Sequence, residues 1–170
     1  MYLIFMGVSG SGKSTYARMI ADAYDWPFIE ADDYHPADNV EKMSAGQPLT
    51  DTNRVEWLNR LCHAMIAQGD GPLVATCSAL TPFVQDTLSA KLPKPPIYIL
   101  MDANEATIRA RMDAREGHYM PSSLLTSQIE ALNVPVSAIR ISNDDEISVV
   151  YARVRTVIES LIRRSEDQRQ

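Results

Sequence analysis

The chain has 170 residues, of which 45% are hydrophobic and 22% charged, and its formal net charge is −6. This length and composition are typical of one globular domain with one core. The acidic balance argues against an extended nucleic-acid interface, and no apolar run reaches the roughly 18 residues of a membrane span. With neither a charged leader nor a membrane span, we expect a cytoplasmic protein that binds neither nucleic acid nor membranes.

Strand-like and helix-like segments alternate along the chain. Short apolar segments predict strands at residues 1–7, 27–32, 72–77, 95–103 and 137–142. Apolar residues spaced three or four apart predict helices at residues 13–24, 57–69, 82–92, 104–116 and 146–164. Asn104 is the expected N-cap of the fourth helix. Five strands separated by helices predict an α/β fold, in which helices cover both faces of a five-stranded parallel sheet.

The segment GVSGSGKS, residues 7–14, follows the first predicted strand and opens the first predicted helix. It fits the phosphate-loop pattern G-x-x-x-x-G-K-[ST] in the context that this motif requires. The glycines let the backbone curl so that its N–H groups point inward, and the helix adds the positive end of its dipole. We therefore expect a bound nucleotide. ATP is favoured over GTP because no N-K-x-D-type guanine motif is found.

Each position of the phosphate loop has an expected role. Lys13 should contact the β- and γ-phosphates, and the Ser14 hydroxyl should ligate Mg²⁺. The other positions expected to bind the nucleotide are Gly7, Ser9, Gly10, Ser11, Gly12 and Thr15. A glycine-rich turn without a ligand is the alternative, and the complete motif in its proper context argues against it.

Two adjacent carboxylates, Asp32 and Asp33, follow the second predicted strand. In parallel sheets, ligands gather at the carboxyl ends of the strands. A carboxylate there can accept the proton of an acceptor hydroxyl or hold a metal-bound water. Asp33 could instead cap the next helix, which makes Asp32 the stronger candidate. His35 precedes a proline and is therefore expected to be non-helical, and the local sequence leaves open whether it contacts a ligand.

The segment RARMDAREGHYMP, residues 109–121, is predicted to form a lid. Arg111 and Arg115 are four residues apart and therefore share one helix face. On a closing lid they would neutralise the charge that develops during phosphoryl transfer. The alternative is that they pair on the surface with Asp113 and Glu116.

Four segments together resemble the gluconate kinases, which are small P-loop kinases of the shikimate-kinase-like group. They are GVSGSGKS, DDYHPADNVEKMSAGQPLTD with the following Arg54, CSAL at 77–80, and REGHYMPSSLLTSQIEAL at 115–132. The resemblance implies a P-loop fold similar to the nucleoside-monophosphate kinases, with a helical lid. It implies one kinase domain over residues 1–170, with an acceptor-binding segment at about 32–68 and a lid at about 111–128.

The resemblance also implies an activity, namely phosphorylation of D-gluconate to 6-phospho-D-gluconate with ATP and Mg²⁺, in the cytoplasm and often as a homodimer. Asp32 would be the base or, through water, the anchor of the metal, and Lys13 and Arg115 would be the other catalytic groups. The further residues expected to bind the sugar acid are His35, Lys42, Arg54, Ser78 and His118.

Several of these assignments have structural alternatives. Lys42 could be solvated on a polar helix. Arg54 could pair with Asp51, although its planar fork suits a carboxylate. Ser78, at the end of the third strand, could face the cleft or cap the next helix. His118 could pack within the lid or contact a ligand.

The acceptor side departs from the family's pattern. Gluconate kinases usually have acidic residues where Thr52 and Asn53 stand. They usually have a lysine and a Tyr-Arg pair where Thr81, Phe83 and Val84 stand, so two cations are expected to be missing from the acceptor side. A kinase for another small sugar acid or polyol is therefore the alternative function. A non-catalytic nucleotide-binding regulator is the second alternative.

Overall fold

The computed structural model describes residues 1–114 and 124–167. Its strands are β1 (Tyr2–Met6), β2 (Phe28–Glu30), β3 (Leu73–Thr76), β4 (Ile97–Asp102) and β5 (Ile139–Ser142). Within the described ranges, the α-helices are α1 (Lys13–Tyr24), α2 (Ala37–Ser44), α3 (Asp51–Ala67), α4 (Pro82–Lys91), α5 (Glu105–Asp113), α6 (Leu124–Ala131) and α7 (Ile147–Asp167). None of these described helices combines the length and apolarity needed to cross a membrane.

The five strands form one parallel sheet in the order β2-β3-β1-β4-β5. The central strand is β1, where Ile4 lies opposite Ala75 of β3 and Tyr98 of β4. The connections that follow the neighbouring strands β1 and β3 leave toward opposite edges of the sheet. In such sheets the crevice at this point, beyond the carboxyl ends of the strands, is where ligands bind. The predicted α/β fold with a five-stranded parallel sheet is confirmed.

The core consists of two main layers, one on each face of the sheet. Successive side chains of a strand point to opposite faces, so Ile4 packs in one layer with Leu58 of α3. Phe5 packs in the other layer with Ile20 of α1 and Val154 of α7. All five side chains are fully buried. The helices therefore cover both faces, as the alternation of elements predicted.

The segment after β2 differs from the prediction of a strand over residues 27–32. The strand ends at Glu30, and Ala31–Tyr34 form a 3-10 helix. The Ala31 carbonyl accepts a hydrogen bond of 2.7 Å from the indole nitrogen of Trp57, and this bond ties the 3-10 helix to α3. Asp32 and Asp33 consequently lie on a helical turn just beyond the sheet, and neither belongs to a strand.

Helix α6 overlaps the segment predicted as a lid, and it is packed on the rest of the fold. Its Leu125 is fully buried in a third apolar cluster with Val8, Leu80 and Ile108. Just after the helix, the N–H of Asn133 donates to the carbonyl of Leu80 at 2.8 Å. The described residues 124–128 of the predicted lid thus form part of the wall beside the phosphate loop.

Candidate active site

The phosphate loop joins the central strand to α1, and its shape depends on Gly12. This residue has a φ of +92°, a conformation that side chains rarely adopt. A Cβ built at Gly12 would lie only 2.4 Å from Nδ2 of Asn143. Both the backbone conformation and the lack of space therefore require glycine at the start of α1.

The N-terminus of α1 has the features of an anion site. Gly12 provides no side-chain cap, and no acidic residue occurs in the first turn, which holds Lys13, Ser14 and Thr15. The N–H groups of a first helical turn have no partner within the helix, and the helix dipole favours negative charge beside them. The Lys13 ammonium donates to the carbonyl of Val8 at 2.9 Å and so lies back over the loop. These residues fit the phosphates of a nucleotide.

Asn143, directly after the edge strand β5, holds the phosphate loop in place. Its side chain is buried, its Nδ2 donates to the Ser11 carbonyl at 2.6 Å, and its Oδ1 accepts from the Tyr16 hydroxyl at 2.9 Å. Arg111 of α5 donates to the Asn143 carbonyl at 2.9 Å. One amide residue thus connects β5, the phosphate loop, α1 and α5, although nothing in the local sequence marks it.

Arg111 contacts Asn143, the residue that binds the phosphate loop, and no surface pair with Asp113 is found among the described residues. Its Nη2 binds Asn143, while its Nη1 is buried and has no hydrogen-bond partner in the described part of the chain. A buried donor that lacks a partner is costly, so this nitrogen is suited to an anion near the loop. Arg115 and His118, the other two site residues of the predicted lid, lie outside the described residues, and their roles stay predictions.

One cavity, of about 140 Å³, joins the phosphate loop to the segment after β2. Six predicted site residues line it: Ser9, Lys13, Asp32, His35, Arg54 and Ser78. Its other described lining residues are Met43, Pro48, Leu49, Trp57, Leu80, Ser127, Gln128 and Ala131. Lys42 is not among these lining residues; it is half-buried on α2. The structure thus brings these six predicted phosphate-binding and acceptor-binding residues to one space, which α6 helps to enclose.

His35 is held as a neutral ring in this cavity. It stacks on Trp57 with ring centroids 4.4 Å apart. Burial lowers the pKa of His35 to about 4, and the charge of Arg54 acts in the same direction against the opposing effect of Asp32. The amide nitrogen of Asn39 lies 3.5 Å from Nδ1, and the tautomer that suits this contact has its proton on Nε2. His35 can therefore donate a hydrogen bond to a hydroxyl, but it does not supply a positive charge.

Arg54 brings a positive charge to the cavity. Its Nη1 forms an ion pair of 2.7 Å with Asp51, so the predicted alternative for this residue is present in the structure. The side chain of Arg54 is only 21% exposed and also lines the cavity. A guanidinium carries five N–H donors, so a single pair leaves donors for the carboxylate of a ligand.

Ser78 lies in the cavity wall and does not cap the following helix. The N-cap of α4 is Thr81, so the capping alternative for Ser78 was wrong. Thr81, Phe83 and Val84, where the family usually has a lysine and a Tyr-Arg pair, do not appear among the described lining residues of the cavity. Val84 is only 2% exposed and packs in the core. The two cations that the family usually has at the positions of Thr81 and Val84 are thus absent, and neither residue lines the cavity of this chain.

The residues suited to Mg²⁺ are one hydroxyl and one carboxylate. The described residues contain no group of three or more His, Cys, Asp or Glu side chains that could hold a metal ion. Ser14 stands in the first turn of α1, and Asp32 stands in the cavity wall. Because Mg²⁺ keeps several waters and binds mainly through substrate phosphates and one or two carboxylates, this pair fits it.

Comparisons with known proteins agree with this geometry. A family model described as an AAA domain matches residues 3–138. A gluconokinase of Gluconobacter oxydans (strain 621H) is 42% identical over 156 residues, which cover 88% of this chain and 86% of that protein. The chain belongs to the gluconokinase family. The resemblance predicted from the sequence is thereby confirmed.

Solved structures extend the likeness to nearly the whole gluconokinase fold. The crystal structure of a gluconokinase from Sinorhizobium meliloti 1021 is 36% identical, with a TM-score of 0.80, over 96% of this chain and 97% of that one. An unliganded sugar kinase from Janibacter sp. HTCC2649 is 35% identical, with a TM-score of 0.82, over 93% of this chain and 94% of that one. The likeness to gluconokinases thus continues through β5 and α7, for which the sequence motifs gave no indication.

Proposed function

We propose that this protein transfers the γ-phosphoryl group of ATP to D-gluconate and so forms 6-phospho-D-gluconate. The observation that carries the proposal is the shared cavity, in which Lys13 of the phosphate loop and Asp32, His35 and Arg54 line one space. A phosphate donor held by the loop and a small acceptor in this cavity would meet there. Membership of the gluconokinase family supports gluconate as the acceptor.

The cavity offers partners for each part of an aldonate, which carries one carboxylate and a row of hydroxyls. Arg54 is the cation suited to the carboxylate, because its planar fork matches two oxygens. The Nε2–H of His35 and the hydroxyl of Ser78 can bind acceptor hydroxyls. Trp57 and Leu49 add apolar surface against the carbon chain.

The chemistry requires one proton acceptor and a way to neutralise charge. Asp32 takes the proton of the terminal hydroxyl while that oxygen forms a bond to phosphorus and the bond from phosphorus to the ADP oxygen breaks. Lys13 holds the phosphates in place and offsets their charge, with Arg111 and Arg115 proposed as further cations. Mg²⁺, when bound by Ser14 and through water by Asp32, adds charge neutralisation at the phosphates.

The location and the assembly of the protein are proposals as well. The family implies a cytoplasmic enzyme that often forms a homodimer. Light scattering on the purified protein would test the dimer, since a protein of 19.0 kDa per chain would then show twice that mass.

An acceptor screen tests the proposed reaction. ADP release would be measured with ATP and Mg²⁺ against D-gluconate, other aldonates and neutral polyols, and D-gluconate should give the highest kcat/KM. Turnover of a different acid without turnover of gluconate would reject the proposed acceptor and keep the kinase. Tight binding of ATP with no turnover of any acceptor would instead favour the nucleotide-binding regulator.

A further inference from the structure

Helix α6 contributes Gln128 directly to the phosphate loop. The backbone N–H of Ser9 donates to Oε1 of Gln128 at 2.7 Å, a contact between residues 119 positions apart in the sequence. Ser9 and Gln128 line the same cavity as Lys13 and Asp32. The carboxamide therefore stands where the phosphate loop meets the proposed acceptor site.

The position of Gln128 is fixed by the anchoring of α6. Leu125, one helical turn earlier and thus on the same face, is fully buried. Beyond the helix, Asn133 donates from its N–H to the Leu80 carbonyl at 2.8 Å and accepts at its own carbonyl from Gln85 at 2.6 Å. A side chain on an element anchored in this way can hold a substrate more accurately than one on a loose loop.

The bond to Ser9 also determines which way the carboxamide points. A backbone N–H needs an acceptor, so the Oε1 atom of Gln128 faces Ser9. The Nε2 atom of the same carboxamide therefore points away from Ser9. That nitrogen carries two N–H donors. Because Gln128 lines the same cavity as Lys13 and Asp32, an N–H donor of this nitrogen is suited to an oxygen of a polyol or of a phosphoryl group.

We propose that Gln128 is a substrate-positioning residue for phosphoryl transfer, and the inference rests on the proposed function. Its oxygen holds the Ser9 N–H of the phosphate loop, and its NH₂ group binds an oxygen of the acceptor. One carboxamide thereby sets the acceptor at a fixed place relative to the loop that holds the transferred group. Small errors in such placement cost up to about a hundredfold in rate.

The test compares two variants of Gln128 with a control on the same helix. Gln128→Met keeps the length and removes both hydrogen-bonding groups, and Gln128→Glu keeps an acceptor for Ser9 while it removes the NH₂ donors. Glu130→Gln, an exposed change on α6, is the control. The measurements are kcat and KM for gluconate, the Kd for ATP from equilibrium binding, and the melting temperature.

Both Gln128 variants should lower kcat/KM for gluconate by about tenfold or more, which corresponds to the loss of one good hydrogen bond. Gln128→Met should also lower the melting temperature relative to the control, because the Ser9 N–H loses its acceptor. Its loss in kcat/KM for gluconate should exceed its loss of ATP affinity. A kcat/KM within about twofold of wild type for either variant would overturn the inference. A loss in Gln128→Met matched by an equal loss of ATP affinity would also overturn it, because the side chain would then serve only the loop.

The wild-type measurement separates this inference from the proposed function. If the wild type phosphorylates another aldonate and not gluconate, the proposed acceptor fails, and the same comparison of variants is made with the acid that is used. If the wild type transfers phosphate to no acceptor, both the proposed function and the role of Gln128 are rejected.

Discussion

The ring of His35 lies between Trp57 and Asn39, and its surroundings decide its charge. Stacking on the buried indole removes water from the ring, which lowers its pKa to about 4. The amide of Asn39 is itself oriented by a 2.9 Å bond to the Asn53 carbonyl, so it presents a donor to the ring. His35 is therefore a neutral ring in the fold, and Arg54 is the cation proposed for the carboxylate of the acceptor.

This lowered pKa predicts a pH dependence of stability. Between about pH 6.5 and about pH 4, the unfolded chain binds a proton at His35 while the folded protein does not. The free energy of unfolding should therefore fall as the pH drops through this interval. His35→Gln should show a shallower fall in urea unfolding, and His63→Gln, which changes an exposed histidine of α3, should fall like wild type. Equal slopes for His35→Gln and wild type would contradict the expectation.

The carboxylate of Asp32 is expected to be required for turnover. Asp32→Asn removes the proposed proton acceptor and should lower kcat by about 10²–10⁴-fold, the usual contribution of general-base catalysis. The Kd for ATP should change much less, since the phosphate loop is untouched. Asp33→Asn alters the adjacent, exposed carboxylate and is the matched control. If the two variants are equally active, Asp32 is not the base.

At the level of elements, α3 begins at Asp51 because Thr50 and Asn53 form a capping box. The Thr50 hydroxyl accepts from the Asn53 N–H at 3.4 Å, and the Asn53 side chain accepts from the Thr50 N–H at 3.1 Å. These two bonds satisfy donors that a helix N-terminus leaves without partners. Because Arg54 and Trp57 lie in the first two turns of α3, the cap that sets the start of the helix also sets the positions of these two cavity residues. Asn53 thus has a structural role where the family usually has an acidic residue.

Removal of this cap should destabilise the protein by a predictable amount. Thr50→Ala should lower the free energy of unfolding by about 1 kcal/mol, within a range of about 0.5–2 kcal/mol for N-cap residues. Thr52→Ala, an exposed substitution in the first turn of the same helix, should cost much less. Urea unfolding followed by circular dichroism would measure both changes, and an equal cost for the two variants would contradict the role of the cap.

Local patterns explain how far the elements could be predicted. The phosphate loop could be predicted from the spacing of its glycines, and the five strands from short apolar segments. Each of these patterns spans only a few consecutive residues. The true start of α3 was missed because the cap uses asparagine, shorter than the usual Glu or Gln, at the third helical position. The 3-10 helix after β2 was missed because it depends on the bond between Ala31 and Trp57.

The site residues that escaped prediction come from distant parts of the chain. Gln128 reaches Ser9 across 119 positions, and Asn143 reaches Tyr16 across 127. Such contacts arise only after the sheet and helices have packed. The sequence did place Gln128 within a segment that resembles the family, but no local pattern distinguishes a cavity residue from a surface residue there.

For the whole molecule, the sheet joins two apolar layers into one structure. Because β1 contributes alternate side chains to both, a defect on either face weakens the same strand. Leu58→Ala on one face and Ile20→Ala on the other should each lower the free energy of unfolding by about 2–5 kcal/mol. Both variants should unfold in a single transition with an unchanged dependence on denaturant. Two separate transitions would show that the layers unfold independently.

The separation of these layers also places the chain's two indoles in different environments. Trp57 lies under the cavity against the imidazole of His35, whereas Trp26 stacks on Tyr24 at 4.8 Å on the other face. In a Trp26→Phe protein, the remaining fluorophore, Trp57, would sit in the wall of the cavity proposed to bind the acceptor. Its emission would then report occupancy of the cavity by optical titration, without nucleotide and without turnover.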